Sequence, residues 1–434
     1  MADAPRVHEL VEHLFRHQAG RMLAALTHIF GLENLDLAEE VVQEALLQAL
    51  QQWRFHGVPD NPQGWLLTAA RNKALDVLRR RATFRRKEQE LERRLSERQG
   101  RESVAASSGI EGVADEQLAM IFACCSPALP SEARVALTLK AVSGFSVAEI
   151  ARAFLAEEAA VAQRLVRAKR RIREAQIMLA IPAAADIPGR LDSVLQVLYL
   201  LFNEGYAAHK GENLVREDLC GEAIRLAQLL ASRPDTGLPK VHALLALFYF
   251  QAARLEARVD GEGNLLLLAE QDRSQWDQAV LALGVEQLEQ AAHGRELSEY
   301  HLQAAIAAVH ATSSSAAETD WPRLLALYDE LLALAPSPVV ALNRAVAQSM
   351  VDGPEAALAS LDELSSEPTL KCYYLLPAVR ADLLRRLGRM AEAVACYREA
   401  LAYPCSEPER RFLRRRMESL DADTRPLLAG DASF

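Results

Sequence analysis

The chain has 434 residues, of which half are hydrophobic and only 6% aromatic, and its net charge is −10. Its length exceeds one ordinary core, and its richness in Ala and Leu favours helices over strands. No apolar run approaches the roughly 20 residues that span a bilayer, and the N-terminal stretch lacks the apolar segment of a signal peptide, so a soluble, cytoplasmic, all-α protein of several domains is expected.

The charge is unevenly distributed along the chain. Residues 1–180 sum to about +2 and residues 181–434 to about −12, with the positive residues of the front clustered at 71–101 and 164–173. The overall negative charge therefore does not exclude a nucleic-acid partner for the front. The six cysteines are scattered without CxxC spacing, which predicts buried reduced thiols and no metal site.

The first predicted helix with a distinctive surface is acidic. Asp36, Glu40 and Glu44 are spaced i, i+4, i+8, and Glu39 and Gln43 lie alongside them. Like charges at this spacing cost helix stability. A basic protein partner is one explanation of these five residues, and a solvated face is the other.

The next predicted helix, over 62–80, is a candidate surface for single-stranded DNA. An aromatic ring beside amide and guanidinium groups suits melted DNA, in which an extruded base can stack. Tryptophans are usually core residues, so at least one of Trp53 and Trp65 is expected to be buried. The candidate DNA-contacting residues are Trp53, Arg54, Trp65, Arg71, Asn72, Lys73, Asp76, Arg79 and Arg80.

The clearest nucleic-acid signal lies at 144–174, GFSVAEIARAFLAEEAAVAQRLVRAKRRIRE. Its periodicity predicts a short amphipathic helix, a turn, and a second helix with an apolar stripe and a separate basic face. This arrangement is typical of a helix-turn-helix, whose second helix enters the major groove; a solvated charged face is the alternative. Early positions would meet base edges and later basic positions would meet phosphates. The candidates are Glu158, Ala162, Gln163, Arg164, Arg167, Lys169, Arg170 and Arg171.

Breaks rich in Pro, Gly and Ser divide the chain into predicted units. The last unit repeats weakly at intervals of 33 and 36 residues, close to the tetratricopeptide period, with Gly388 and Ala393 at the expected turn and packing positions. Superhelical helix pairs are predicted there, with an unrelated α-bundle as the alternative. The units are a helical bundle at 6–82, a linker at 83–114, a second helical unit at 115–180, a helical region at 186–311 and the repeats at 321–421.

The acidic helix, the predicted helix over 62–80 and the helix-turn-helix, in this order, resemble an extracytoplasmic-function sigma factor over roughly residues 6–175. AEEVVQEAL resembles the region 2 helix that binds the clamp coiled coil of bacterial RNA polymerase. PDNPQGWLLTAARNKALDVLRR resembles the segment that melts and reads the −10 element, and SVAEIARAF with VAQRLVRAKRRI resembles region 4, which reads the −35 element. The resemblance thus assigns the acidic residues to core polymerase, whose flap is a further expected contact, and the two other residue sets to promoter DNA.

The remaining chain resembles a subgroup of these factors that carries a long tetratricopeptide-like extension. The resemblance rests on motifs such as LYLLFNEGY (198–206), AEQDRSQWD (269–277) and YHLQAAIAAVHA (300–311). It implies regulation by the fused domain, through a protein or small-molecule regulator, rather than by a membrane anti-sigma factor. Ala162 and Gln163 stand where region 4 helices often carry polar or basic residues, so base-by-base −35 specificity does not transfer.

Two other functions stay open at this point: a stand-alone helix-turn-helix activator with a tetratricopeptide sensor, and a tetratricopeptide scaffold that binds no DNA. The chain carries no phosphate-binding GxxxxGK[ST] motif, and no catalytic constellation or cofactor is expected. In the tail, Glu204, His209, Asp218 and Asp272 can form a polar pocket, although helix caps and hydrogen-bonded pairs are favoured. The acidic back is expected to restrain the basic front.

Overall fold

The structure, a computed structural model, describes residues 19–80, 111–154, 156–206, 216–262, 264–315 and 317–428. Throughout these ranges the chain is helical, without strands and with one isolated bridge between Val259 and Leu265. The all-α prediction is confirmed. The chain divides into two units, Met1–Leu200 and Leu201–Phe434.

The first unit opens with three helices, α1 (19–30), α2 (Leu35–His56) and α3 (Pro62–Arg80). Helix α2 ends at Gly57, whose φ of +82° is accessible to glycine at little cost. Helix α3 begins at Pro62, whose fixed φ suits a first helical position, and Asn61 Oδ1 accepts a 2.9 Å hydrogen bond from Gly64 N. This start agrees with the helix predicted over 62–80.

Four more helices follow: α4 (Glu111–Cys124), α5 (Ser131–Ala141), α6 (Val147–Phe154) and α7 (Glu158–Glu174). The predicted linker lies mostly outside the described residues, but its final residues, from Glu111, already belong to α4. A reciprocal cap opens α6, because Ser146 Oγ accepts from Glu149 N and Glu149 Oε2 accepts from Ser146 N. Helices α6 and α7 pack as the predicted helix-turn-helix, with the apolar stripe of α7 buried at Val161, Leu165, Ala168 and Ile172.

Helix α8 (Ile187–Tyr206) starts in the stretch where the sequence predicted a joint between domains. Its first half packs against the first unit: Arg190 Nη2 donates to the Phe122 carbonyl at 2.8 Å, and the Arg134 guanidinium donates to Ser193 Oγ. The boundary between the two compact units falls at Leu200, inside α8, whereas the sequence predicts that the helical region of the extension begins at residue 186. The helix is continuous because its apolar stripe is buried along its whole length.

The second unit is built around α10 (Pro239–Ala252), which packs against α9 (Glu217–Ala231), α11 (Gln278–Ala291) and α12 (Glu299–Thr312). Helix α10 is apolar on nearly all of its faces, and such a helix is stable in water only when neighbouring helices bury it on most sides. Gly284 of α11 makes room for the Phe250 ring, because a Cβ there would lie 2.7 Å from that ring.

Six helices complete the second unit as three consecutive pairs: α13 (Trp321–Leu334) with α14 (Pro338–Val351), α15 (Pro354–Leu364) with α16 (Leu375–Arg386), and α17 (Met390–Ala402) with α18 (Glu407–Leu428). The pairs begin 33 and 36 residues apart, the intervals predicted from the sequence. Gly388 lies in the turn before α17 with a φ of +74°, and Ala393 is fully buried. The helix-pair architecture therefore agrees with the repeat pattern.

Candidate nucleic-acid interface

The acidic surface lies on α2, opposite the apolar stripe that packs into the three-helix core. Asp36, Glu40 and Gln43 are exposed, whereas Glu39 and Glu44 are half-buried. All five predicted residues thus reach the surface of one helix. A helix face of this kind can bind a basic partner, provided that its carboxylates are not already paired.

The two tryptophans of the second predicted surface have different environments. Trp53 is only 2% exposed and packs edge-on against Trp65, with ring centroids 5.5 Å apart. Trp65 is half-buried and keeps part of its ring at the surface of α3. Trp53 is a core residue, so the prediction that it contacts DNA is wrong. Its ring packs against the ring of Trp65 and holds it in position.

The polar residues predicted beside Trp65 lie on the open side of the three-helix bundle. Arg54, Asn72 and Asp76 are exposed and Arg71 is half-buried, while the side chains of Arg79 and Arg80 lie outside the described residues. Lys73 Nζ lies 3.2 Å from Glu44 Oε2, so this pair connects the candidate DNA-contacting residues with the acidic residues. Both groups are about half exposed, and such a pair contributes at most about 1 kcal/mol, so a ligand can displace it.

The candidate DNA-contacting residues of α7 lie on the side away from its buried stripe. Arg164 Nη2 pairs with Glu132 Oε2 of α5 at 2.7 Å, and Arg170 Nε lies 3.3 Å from Glu174 Oε1. Arg167 donates to Gln163 Oε1 at 3.1 Å and, within the described ranges, has no carboxylate at ion-pairing distance. The exposed candidates on this face are Glu158, Gln163, Arg167, Arg170 and Arg171, with Ala162 and Arg164 half-buried.

Lys169 differs from its neighbours on α7, because its side chain is only 11% exposed. Its Nζ lies 2.7 Å from Asp36 Oδ1 and 2.9 Å from Glu39 Oε2, and Arg173 Nη1 lies 3.3 Å from Asp36 Oδ2. The prediction that Lys169 contacts DNA does not hold in this arrangement, because its ammonium group is paired with Asp36 and Glu39 of the same chain. Helical spacing places Arg173 beside the basic face of α7 but does not reveal its partner Asp36, which lies 137 residues away in the sequence.

The electrostatics of this contact favour the charged forms of both partners. Burial by itself would lower the pKa of Lys169, but the charge of Glu39 and the hydrogen bonds with Asp36 and Glu39 outweigh it and raise that pKa. Burial would raise the pKa of Asp36, but Lys169 and Arg173 together lower it. The ion pairs therefore persist across neutral pH.

A three-helix bundle with an acidic face, followed by a helix-turn-helix with a basic second helix, defines a class of bacterial transcription initiation factors. The family model described as "Sigma-70 region 2" matches residues 14–84, and "Sigma-70, region 4" matches residues 119–172. A "Family of unknown function (DUF6596)" matches residues 190–292. The chain belongs to the extracytoplasmic-function-like sigma factors that carry a C-terminal extension.

One relative matches this chain over most of its length. "Uncharacterized protein R00370" of Rhizobium meliloti (strain 1021) is 41% identical over 403 residues, covering 92% of this chain and 93% of that protein. No solved structure matches the chain. Sigma-factor families act in transcription initiation with core RNA polymerase and promoter DNA, and they are not enzymes. Among the described residues, no helix is both long and apolar enough to cross a membrane.

Proposed function

We propose that this chain is a sigma factor that directs core RNA polymerase to a specific set of promoters in the cytoplasm, under the control of its own C-terminal extension. The observation that supports it most is the helix-turn-helix of α6 and α7. This motif buries its apolar stripe and leaves an arginine face exposed, in one unit with the acidic helix α2. One chain thereby offers surfaces for both protein and DNA.

The acidic face of α2 is the proposed contact with the clamp coiled coil of the polymerase. Its carboxylates sit on a rigid helix whose opposite stripe is buried, so they hold a fixed spacing for a basic helical partner. Region 4, formed by α4 to α7, is the proposed contact with the flap. The proposed clamp-binding residues are Asp36, Glu39, Glu40, Gln43 and Glu44.

Helix α3 is the proposed reader of the melted −10 element. Trp65 packs against Trp53 and keeps part of its ring at the surface of the helix that also carries Asn72 and Arg71, and this combination can stack on and hydrogen-bond an extruded base. Helix α7 is the proposed reader of the −35 element. Its N-terminal residues, including Gln163, face base edges, and Arg167 with its basic neighbours faces phosphates.

Run-off transcription with purified core polymerase and a promoter library tests this function directly. The full-length chain should start transcription at a defined subset of promoters, and polymerase alone should not. R167A should weaken promoter binding about uniformly across sequences and lower the salt slope by about 1, because it removes one phosphate contact. R295A, at an exposed position in the second unit, serves as the charge-matched control.

Two results separate the alternatives. Specific promoter binding by the chain without polymerase, unchanged when polymerase is added, would establish a stand-alone activator. Absence of DNA binding at any salt concentration, with or without polymerase, would establish a scaffold. Either result contradicts the sigma-factor proposal.

A further inference from the structure

Three arginines of the second unit lie close to one another. Arg254 and Arg258 both lie over the ring of Tyr206, with their Cζ atoms 5.5 and 3.8 Å from its centroid. Arg273 reaches the end of α12, where its Nη1 donates to the His310 carbonyl at 2.7 Å. Across the described residues, none of the three guanidinium groups has a carboxylate within ion-pairing distance.

The hydrogen bonds that these arginines make all go to neutral acceptors. Arg254 donates to Gln251 Oε1 at 2.7 Å, Arg258 donates to the Tyr206 carbonyl, and Arg273 donates to the carbonyls of His310 and Ser313. Arg258 is 8% exposed. These bonds hold the guanidinium groups in place but bring no negative charge to them.

The same neighbourhood contains buried polar atoms that have no hydrogen-bond partner among the described residues. They include Arg273 Nη2, Trp276 Nε1 and His310 Nδ1, and the Arg273 guanidinium lies 5.0 Å from the Trp276 ring centroid. An unsatisfied buried donor costs about 1–3 kcal/mol, so several in one place call for a missing acceptor.

The electrostatics agree with an excess of positive charge. Burial lowers the pKa of Arg258 and Arg273, and the charge of Arg254 lowers both further, while Tyr206, Cys220 and Glu409 partly oppose the shift at Arg258. Burial also lowers the pKa of His310 to about 4, again with contributions from Arg254 and Arg273. Like charges brought together inside a fold reduce its stability unless an anion joins them.

We propose that Arg254, Arg258, Arg273 and His310, together the arginine site, bind a small anion with a carboxylate or phosphate group. Guanidinium groups offer paired donors that match the oxygens of both groups, and free donors of Arg273 and Trp276 are available to complete the shell. Each of the three extension motifs named above contributes a residue to this place. Arg273 and His310 belong to the arginine site, and the ring of Tyr206 packs against Arg254 and Arg258. This proposal does not depend on the sigma-factor function.

The acidic residues that the sequence analysis considered for a pocket have local roles instead. Asp272 accepts from Ser274 N at 2.9 Å and caps a short turn, and Asp218 accepts from Arg216 Nη2 at 3.2 Å. Both match the favoured alternative of caps and pairs, while His209 lies outside the described residues. The extension is therefore expected to recognise anions and not cations at this place.

Thermal unfolding of the full-length protein tests the arginine site, with inorganic phosphate and succinate as probes and sodium chloride at equal ionic strength as reference. At least one probe should raise Tm above the chloride value, and the better probe identifies phosphate or carboxylate as the preferred group. R254Q should lose this shift, R254K should keep part of it, and R295Q should keep all of it. A shift that R254Q retains in full, or no shift with either probe, overturns the proposal.

A second readout separates binding from a purely structural role of Arg254. In buffer without either probe, R254Q should unfold at the wild-type Tm or above, because removing one positive charge relieves repulsion in the arginine site. A structural arginine would show the opposite sign. A Tm of R254Q below that of wild type under these conditions therefore counts against the proposal.

A different observation in the first unit carries a second inference, which rests on the proposed sigma-factor function. The polymerase-facing residues Asp36 and Glu39 are paired with Lys169, and Arg173 adds a further ion pair to Asp36. The carboxylates that are proposed to bind polymerase and two basic residues of α7, the proposed DNA-binding helix, thus neutralise each other.

The two helical modules also meet through their backbones. Gly20 of α1 lies against the carbonyl of Val142, at the end of α5, so closely that a Cβ at residue 20 would overlap the carbonyl oxygen. A shallow cleft runs along this contact and includes Glu39. Its lining residues are Ala19, Leu23, Glu39, Val42, Gln43, Lys140 and Gly144.

We infer that this contact, the closed contact, is an autoinhibited arrangement of the free sigma factor that core polymerase must open. In the closed contact, Asp36 and Glu39 are occupied by a lysine and cannot pair with a basic clamp helix. Polymerase and the closed contact compete for the same carboxylates, so weakening the closed contact should strengthen polymerase binding by an equal factor.

Binding of the full-length chain to purified core polymerase, without DNA, measures this competition. G20A should bind several-fold more tightly than wild type because its methyl group forces the modules apart, and K169Q should do the same because it removes the two ion pairs of Lys169. G221A is the matched control, since a Cβ at that helical glycine meets nothing within 4 Å. Equal affinity for G20A, K169Q and wild type rules the inference out.

Amide hydrogen exchange of the free protein distinguishes failure of this inference from failure of the proposed function. In G20A, exchange should speed up in residues 19–30 and around Gly144, on both sides of the closed contact. Unchanged exchange there contradicts the closed contact itself. Absence of polymerase binding by every variant and by wild type would instead reject the sigma-factor function on which the inference rests.

Discussion

At the scale of single residues, the tryptophan pair separates stability from DNA recognition. W53A should cost about 3–5 kcal/mol of unfolding free energy, as expected for a fully buried aromatic ring. W65A should cost less and should reduce promoter melting, which permanganate reactivity of −10 thymines measures. F55A, at a ring that is 85% exposed, should change stability by less than about 0.5 kcal/mol. Equal destabilisation by W53A and F55A would contradict the core assignment of Trp53.

Glu204 gives a pH dependence with a definite sign. Burial raises its pKa from 4.5 to about 7, and Arg216 partly opposes this. Between these two values the folded state holds a proton that the unfolded state has released, so this carboxyl lowers stability as pH rises through that window. Urea unfolding at pH 5 and pH 8 should show wild type losing more stability than E204Q. The exposed variant E286Q should follow wild type; parallel curves for all three proteins would refute the assignment.

At the scale of elements, two glycines should respond oppositely to the same substitution. Gly388 ends α16 in a left-handed conformation, where its N–H bonds the Arg385 carbonyl and Arg389 N bonds the Leu384 carbonyl. G388A should therefore cost about 1–2 kcal/mol. Gly221 lies inside α9 with open space around it, so G221A should gain about 0.5–1 kcal/mol. Denaturant midpoints of the two variants check this; a shared sign would contradict the turn geometry.

Helices and their buried faces were predictable from the sequence because helical periodicity is a local property. The stripe of α7 at Val161, Leu165, Ala168 and Ile172 is buried as predicted, and the repeat intervals match the helix pairs. The partner of Lys169 was not predictable, since tertiary packing brings Asp36 to it from 133 residues away. The same limit explains Trp53: composition predicts that one tryptophan is buried, but only packing decides which.

At the scale of the whole molecule, the uneven charge predicts how the extension affects DNA affinity. Residues 1–200 sum to about +1 and residues 201–434 to about −11, so the extension repels the phosphate backbone. A fragment ending at Leu200, which keeps the half of α8 that packs on the first unit, should bind promoter DNA more tightly than the full chain at low salt. The difference should shrink as salt rises, because screening shortens the range of repulsion to about 8 Å at physiological ionic strength.

Run-off transcription by the same two proteins then reveals what the extension does to activity. Higher activity of the fragment would mean that charge repulsion is the main restraint. Lower activity despite tighter DNA binding would mean that the extension is required at a step after DNA binding. An anion in the arginine site reduces the local positive charge there, so we expect it to change the rate of that step in the full chain and not in the fragment. An affinity difference that does not depend on salt would show that electrostatic repulsion is the wrong account of the extension.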